Sequence, residues 1–490
     1  MSVLLLVLVL GWTVPAQAAA PLEEKVQEFR LDNGLTLLVV ERHSAPTFTA
    51  YMTIGVGSVD EQENNRGIAH LLEHMRFKGT QTIGTLDYVA EQSLLHQIDE
   101  TVTQLTTCRQ QVPFCPQREQ ELVERLQSLQ QEHRCLLVKD EFSRIYARHG
   151  GVGFNAFTGK DLTTYQVSLP ANRLELWVSL EADRMRNAVL REFYTEKEVI
   201  QEERRRSYES KPSGMLYEAL LSTAFRVHPY RHPVIGWHSD IAALTKEQTA
   251  DFLHRYYTPV NTTIALVGDV EAGQARALVE RYFGDIAPGE RVPAVTAVEP
   301  TQNGERRAQV LFDAESQFLV AWHKPTLPDV DDYAFDLLGL LLTQGPTSRL
   351  YRTLVLEQKL ATSIEAYGAP GARYSNLFVL QITPRVPHTV AEVEQALYRE
   401  LELVKTEALE PADLERARKR LRADRLRHLQ TDRGMAGMLT HFQVVAGDWR
   451  YLAQYDSQIA RLTAADLQQA ASRWLTAQNR TVIELVREVH

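Results

Sequence analysis

Two histidines stand four apart in GIAHLLEHMRFKGT, residues 67–80, with a glutamate directly before the second: His70, Glu73 and His74. On a helix, positions i and i+4 share a face, so both imidazoles can address one ion. Glu73 lies one step round and can reach a water on that ion without being a ligand. The order is H-x-x-E-H, the mirror of H-E-x-x-H, and the physical logic is the same. Two neutral imidazoles and a carboxylate suit Zn2+ and leave one coordination position open for water. The competing reading is an amphipathic helix whose apolar face is Leu71, Leu72 and Met75, with two surface histidines by chance. A third ligand from elsewhere decides between them.

The donor for that ligand is in YTEKEVIQEERRR, residues 194–206. Glu196 and Glu203 are seven apart, two helical turns, and lie on one face. One carboxylate can complete the ligand set, and the other can hold a histidine ring from outside. Glu198 and Glu202 read as a solvated face. His228, His232, His238 and His254 do not form a second metal site, because Pro229 and Pro233 deny them a common helical face.

The elements that must position these residues show in the spacing. Residues 26–40 alternate around Asn33-Gly34, a hairpin, and residues 47–61 hold another strand. The motif helix starts near Gly67 and stops at Gly79. Residues 87–146 carry two charge-rich helical segments around the turn VPFCP, an antiparallel helical hairpin. Cys108 and Cys115 flank its tip and can pair if oxidised, leaving Cys135 free; three reduced cysteines is the alternative. No CxxC spacing marks them as metal ligands. Residues 150–170 form a hairpin about Gly159-Lys160-Asp161, and residues 171–208 form a helix broken near 190–195. A strand at 261–270 closes this half. The Pro- and Gly-bearing stretch 286–305 is a linker. Beyond it come a strand at 309–323, a helix at 333–344, strands near 363–367 and 377–383, and helices over 389–430. The repeated order points to duplication of one α+β unit, with domains 21–285 and 306–490.

The apolar fraction is 44% and the charged fraction 24%, ordinary for a globular protein. The net charge is −10 with no basic stripe, which argues against nucleic acid as a partner. Residues 1–20 have an apolar run from Val3 to Val14, followed by Ala16-Gln17-Ala18. That is a secretory signal pattern, so the mature chain is expected to be exported, periplasmic or secreted, with no stable membrane span.

GIAHLLEHMRFKGT, NAFTGKDLTTY and TEKEVIQEE, in that order, resemble the pitrilysin/insulinase family of zinc metallopeptidases, its two-domain processing-peptidase-like branch. The stretch from His228 to Val270 and SRLYRTL near 348 are similar too, and the likeness spans most of 26–485. The resemblance implies an α+β fold of two homologous sandwich-like halves, each an antiparallel sheet with helices, in a clam-like arrangement. It implies His70, His74 and Glu203 as ligands of one Zn2+, Glu73 as general base and Glu196 as the partner behind the ligands. It also implies that Asn155, Ala156 and Phe157 hold a peptide substrate as an added strand.

The chain departs from that family twice. Glu203 follows His74 by 129 residues, more than the family uses, and the helical hairpin accounts for the excess. Active members also carry an Arg and a Tyr seven apart in the second half; here the matched positions are Val355 and Thr362. Neither can donate to an oxyanion as Arg or Tyr would. The expectation is a zinc-dependent endopeptidase, the zinc-bearing subunit of a two-chain enzyme whose homologous partner supplies Arg and Tyr, or a homodimer. The alternatives are a non-catalytic scaffold subunit of the same fold and a protease dedicated to one precursor peptide.

Overall fold

A computed structural model describes residues 21–112 and 114–487. Residues 1–20, where the export signal is expected, lie outside the described residues. Among the described residues, no helix is long and apolar enough to cross a membrane.

The chain builds two sheets. The first contains β1 (Val26–Arg30), β2 (Thr36–Glu41), β3 (Thr47–Ile54), β4 (Val152–Thr158), β5 (Thr163–Pro170) and β6 (Thr262–Gly268), in the order β1-β2-β6-β3-β5-β4. The second contains β7 (Arg306–Leu311), β8 (Phe318–Lys324), β9 (Ala361–Ala369), β10 (Asn376–Pro384) and β11 (Arg480–Val486), in the order β7-β11-β8-β10-β9. Apart from the extra β1, the two orders correspond strand for strand. Each sheet is antiparallel except for one parallel pair, β2 with β6 and β7 with β11. The stretch read as one strand over 309–323 is two, β7 and β8. They flank β11 on opposite sides, one parallel and one antiparallel to it, so the chain must turn between them at residues 312–317.

Between the strands run the motif helix α1 (Ile68–Met75), the hairpin helices α2 (Tyr88–Gln110) and α3 (Pro116–Leu136), then α4 (Phe193–Arg204) and α5 (Pro212–Ala224). The second half contributes α6 (Val330–Thr343), which follows β8 as α1 follows β3, and α7 (Asp432–Val445). One face of each sheet is covered by helices of its own half. The opposite face is covered by a helix from the other half. Leu216, Leu220 and Leu221 of α5 pack on Leu319, Ala321, Leu377, Val379 and Ile483 of the second sheet. Met435, Ala436 and Leu439 of α7 pack on Leu38, Val40, Ala265 and Val267 of the first. These strands are apolar on both faces and need two covers. The exchange closes the halves on one another. A polar clasp adds to it: Asp161 accepts the backbone N–H of Ala372 (2.7 Å) and Arg373 (3.1 Å) from the β9–β10 turn.

The inserted hairpin α2–α3 is bolted at its base rather than left to hang. Glu91 of α2 is fully buried and accepts from Arg191 Nε (2.6 Å) and Nη2 (2.9 Å), while His133 of α3 meets it at 2.9 Å. Arg191 precedes α4 by two residues, and Tyr194 of α4 donates to Asp99 of α2 at 3.1 Å. The three thiols are free; Cys108 is buried under the tip and Cys115 and Cys135 are exposed.

Residues 284–305 contain no helix or strand. They are held on both halves: the N–H of Val295 donates to the hydroxyl oxygen of Tyr374, and Gln302 donates to the carbonyl of Arg480. Glu299 accepts three backbone N–H groups, those of Arg226, Val227 and His228, at 2.9–3.1 Å. Burial alone would raise this carboxyl, but the three donors outweigh it and hold it below the ordinary carboxylate range. A carboxyl lowered in the folded state stabilises above its unfolded pKa, and that stability drains as pH falls through it. Glu299→Gln is expected to lower the unfolding free energy by about 1–3 kcal/mol near neutrality. It should also flatten the loss of stability below about pH 4.5. Denaturant midpoints of both proteins between pH 3 and 7 measure this; parallel curves would contradict it.

Candidate active site

Helix α1 starts at Gly67, whose φ of +91° only glycine adopts without strain, and a Cβ there would run into the carbonyl of Ile235. Glu61 accepts the N–H groups of Gly67 and Ala69, both at 2.9 Å, which satisfies two donors at the start of the helix, and burial pushes its carboxyl up to about 8. Ile68, Leu71, Leu72 and Met75 are buried in the core of the first half and fix the roll of the helix. That roll turns His70, Glu73 and His74 together toward α4. Helix α4 is anchored by Phe193 and Ile200, both buried. Ile200 lies between Glu196 and Glu203 on the same face, so seating it aims both carboxylates at α1.

The result is a cluster of three donors. One ligand atom each from His70, His74 and Glu203 fall within 4.8 Å of one another. His70 Nε2 is 3.8 Å from Glu203 Oε1, and His74 Nε2 is 3.5 Å from Glu203 Oε2. Ligand atoms about 2 Å from a tetrahedral ion are on the order of 3.3 Å apart, so only a small adjustment separates this set from a closed one. Burial, then the neighbouring His74, pushes the His70 imidazole down to about 3, so it is neutral and available to a metal. Two nitrogens and a carboxylate oxygen are the donors zinc takes.

Glu196 is not in the cluster but stands behind it. Its Oε1 meets His74 Nδ1 at 2.9 Å, and its Oε2 meets Lys78 Nζ at 2.6 Å. Burial works to raise this carboxyl, but His74 and Lys78 together bring it down to about 2. Burial lowers His74 while Glu196 and then Glu203 raise it, and the net direction is up. With Nδ1 engaged by Glu196, Nε2 is the nitrogen left facing the cluster.

Glu73 is nine-tenths buried beside the histidines. Its Oε2 accepts from Thr158 Oγ1 at 2.6 Å. Burial raises its carboxyl and the Thr158 bond works against that, with the net direction up. Thr158 ends β4, which is the outer strand of the first sheet. Asn155, Ala156 and Phe157 are on this strand, paired on one side with Gln166, Tyr165 and Thr164 of β5 and unpaired on the other. Phe157 is 47% exposed and Val152 70%, large apolar side chains facing open space. Glu73, the donor cluster and a free strand edge therefore meet at one end of β4.

Two contributors were absent from the sequence reading. Thr158 is the last residue of Asn-Ala-Phe-Thr, and nothing in that pattern says where its hydroxyl goes. Lys78 follows the motif helix, and its pairing with Glu196 joins residues 118 apart in the chain. Among the described residues, the second half offers no equivalent site. Helix α6, the counterpart of α1, carries Asp332 and Asp336 and no histidine. Val355 is buried in the second core, and Thr362 sits on β9 with its hydroxyl bonded to the carbonyl of Thr383.

Comparison with known proteins bears on both halves. The family model described as insulinase, peptidase family M16, matches residues 37–128 and 121–237. The one described as the peptidase M16 inactive domain matches residues 243–421. The chain belongs to the M16 peptidase family. A zinc protease of Helicobacter pylori named PqqE is 27% identical over 98% of this chain and 96% of its own. The crystal structure of a protease from Helicobacter pylori superposes with a TM-score of 0.79 at 25% identity, over 95% of this M16 chain and 100% of that one. The periplasmic protease PqqL of Escherichia coli gives 0.71 at 18% identity, over 96% of this chain but 48% of its own.

The purified protein is expected to bind one Zn2+ per chain in a metal titration read by mass spectrometry. His70→Ala, His74→Ala or Glu203→Ala should abolish that binding. Glu196→Gln should weaken it by about 10- to 100-fold, since it only orients His74. Undiminished binding in the Glu203 variant would remove that residue from the ligand set.

Proposed function

We propose that this chain is a zinc-dependent endopeptidase that cleaves extended peptides or unfolded small proteins, and that it is the metal-bearing member of a two-chain enzyme. The observation that supports this most is the meeting of His70, His74 and Glu203 with Glu73 beside the open edge of β4. Zn2+ held by the three donors would polarise the scissile carbonyl and acidify a water. Glu73 takes the proton from the attacking water and passes it to the leaving amine. Thr158 fixes one oxygen of Glu73, so the other is directed at that water. A substrate strand adds to β4, held by the backbone of Asn155, Ala156 and Phe157. A periplasmic protease among the structural neighbours supports an exported location, as does the signal pattern in residues 1–20.

Val355 is shut in a core and Thr362 is bonded to its own sheet, so those positions offer nothing to an oxyanion. A second copy would bring the same two residues. A homologous chain bearing Arg and Tyr is therefore the better partner than a homodimer. The Escherichia coli neighbour has room in one chain for two units of this size. A second reading, a non-catalytic scaffold, draws on the description of the model matching 243–421 as an inactive domain. The donor cluster and Glu73 weigh against it.

Glu73→Gln is expected to retain zinc and to lose peptide turnover by at least about a hundredfold. Full activity in that variant would sink the assignment. Thr158→Val should lower kcat by roughly tenfold with little change in KM, and Thr158→Ser should restore most of it. Chelator-insensitive cleavage, or none with zinc bound and a partner present, favours the scaffold. If the chain alone matches its mixture with a homologous partner, the two-chain reading fails.

A further inference from the structure

The edge of β4 is not open along its whole length. Its N-terminal end is met by Arg433, from the first turn of α7, the helix that the second half lends to the first sheet. Arg433 Nη2 donates to the carbonyl of Gly153 at 3.0 Å. The strand is shaped for this approach. Its pairing with β5 slips by one residue between Val152 and Asn155, and Gly153 adopts a φ of +66°. A Cβ at 153 would overlap Nη2. Arg433 itself is exposed, and among the described residues it makes this one hydrogen bond and no ion pair. The neighbouring carboxylate, Asp432, is already taken by Arg42 at 3.1 Å. An unneutralised guanidinium with free donors thus stands at one end of the strand whose other end holds Glu73.

We propose that Arg433 is a specificity-determining residue that binds a carboxylate on the peptide docked along β4, four to five residues from the bond cleaved. The inference rests on the peptidase reading above and names the substrate it prefers. Gly153 and Thr158 are five residues apart, about 16 Å of extended chain. A peptide strand beside Phe154–Thr158 that reaches Arg433 must therefore present its anion at that interval. Guanidinium and carboxylate match as a planar fork, and the contact with Gly153 holds the fork in place. The anion can be an Asp or Glu side chain, or the peptide's own C-terminal carboxylate.

Binding separates this from the chemistry. Fluorescent peptides of equal length would be titrated into zinc-loaded protein carrying Glu73→Gln, which binds without turnover. One set walks a single Glu or Lys along the sequence, and another compares a free C-terminal carboxylate with its amide. The expected result is a three- to tenfold tighter Kd for the anionic peptide at one interval from the docked centre. Arg433→Glu should reverse that preference toward Lys, and Arg433→Lys should keep part of it. Each preference is a ratio between two peptides on one preparation, so a lowered folded fraction cancels. An equal loss for all peptides in Arg433→Glu would make Arg433 a mere strut for β4 and overturn the proposal. So would an unchanged ratio, or no peptide binding at all. If wild-type protein with zinc and a homologous partner cleaves none of these peptides while the charge selectivity is present, the peptidase reading fails and Arg433 is left as a peptide-binding residue only.

Discussion

Both sheets of this protein are apolar on both faces, and the helices of each half cover only one face of its own sheet. That constraint organises everything else. The first half resolves it by sending α5 to the second sheet, and the second half by returning α7 to the first. Each exchanged helix buries several Leu, Met or Ala side chains. At about 25 cal/mol per Å2 of apolar surface, losing either cover would exceed the stability of an ordinary domain. The halves are therefore one cooperative body. The segment at 284–305 acts as a strap seated at both ends, through Val295, Glu299 and Gln302.

This frame explains how a ligand set scattered over the chain can be accurate. His74 and Glu203 are 129 residues apart with a two-helix insertion between them. The insertion could have displaced α4. Its buried Glu91 instead binds Arg191 and His133 at the point where the chain re-enters the domain. A charge buried this deeply is costly unless every partner is present, so the base of the hairpin admits one arrangement. The arm beyond it can vary in length without moving Glu203. The site is then built by two short apolar anchors, Leu71–Leu72 on α1 and Ile200 on α4, each rolling its helix by burial.

What could be read in advance follows from the range of the interactions. The motif on α1, the hairpins and the helical arms are local patterns, and their spacing reveals them. Glu196 and Glu203 could be placed on one face by counting, but which of them reaches the histidines is a tertiary fact. Thr158 is less legible still, because a threonine in a strand looks the same whether its hydroxyl meets solvent or the buried carboxyl of Glu73. The exchange of α5 and α7 leaves no trace at all in periodicity. An apolar helical face reads identically whichever sheet it lies on. The error at 309–323 is of another kind. Asp313, Glu315 and Ser316 interrupt the apolar alternation, and a turn there is required once β11 lies between β7 and β8.

The two halves share one strand order, yet among the described residues the donor cluster lies in one of them. Helix α1 presents His70, Glu73 and His74 toward α4, whereas α6 carries no histidine. Two of its three aspartates, Asp332 and Asp336, stand at i and i+4 and are held by Lys324 and Tyr455. The second half carries no such donor cluster among the described residues, yet it still reaches the first half's edge strand. It contributes the helix that covers the first sheet, and from the first turn of that helix it extends Arg433 to the edge strand. A half without a donor cluster among its described residues can still shape the other half's exposed strand edge, because the cover it supplies ends beside β4.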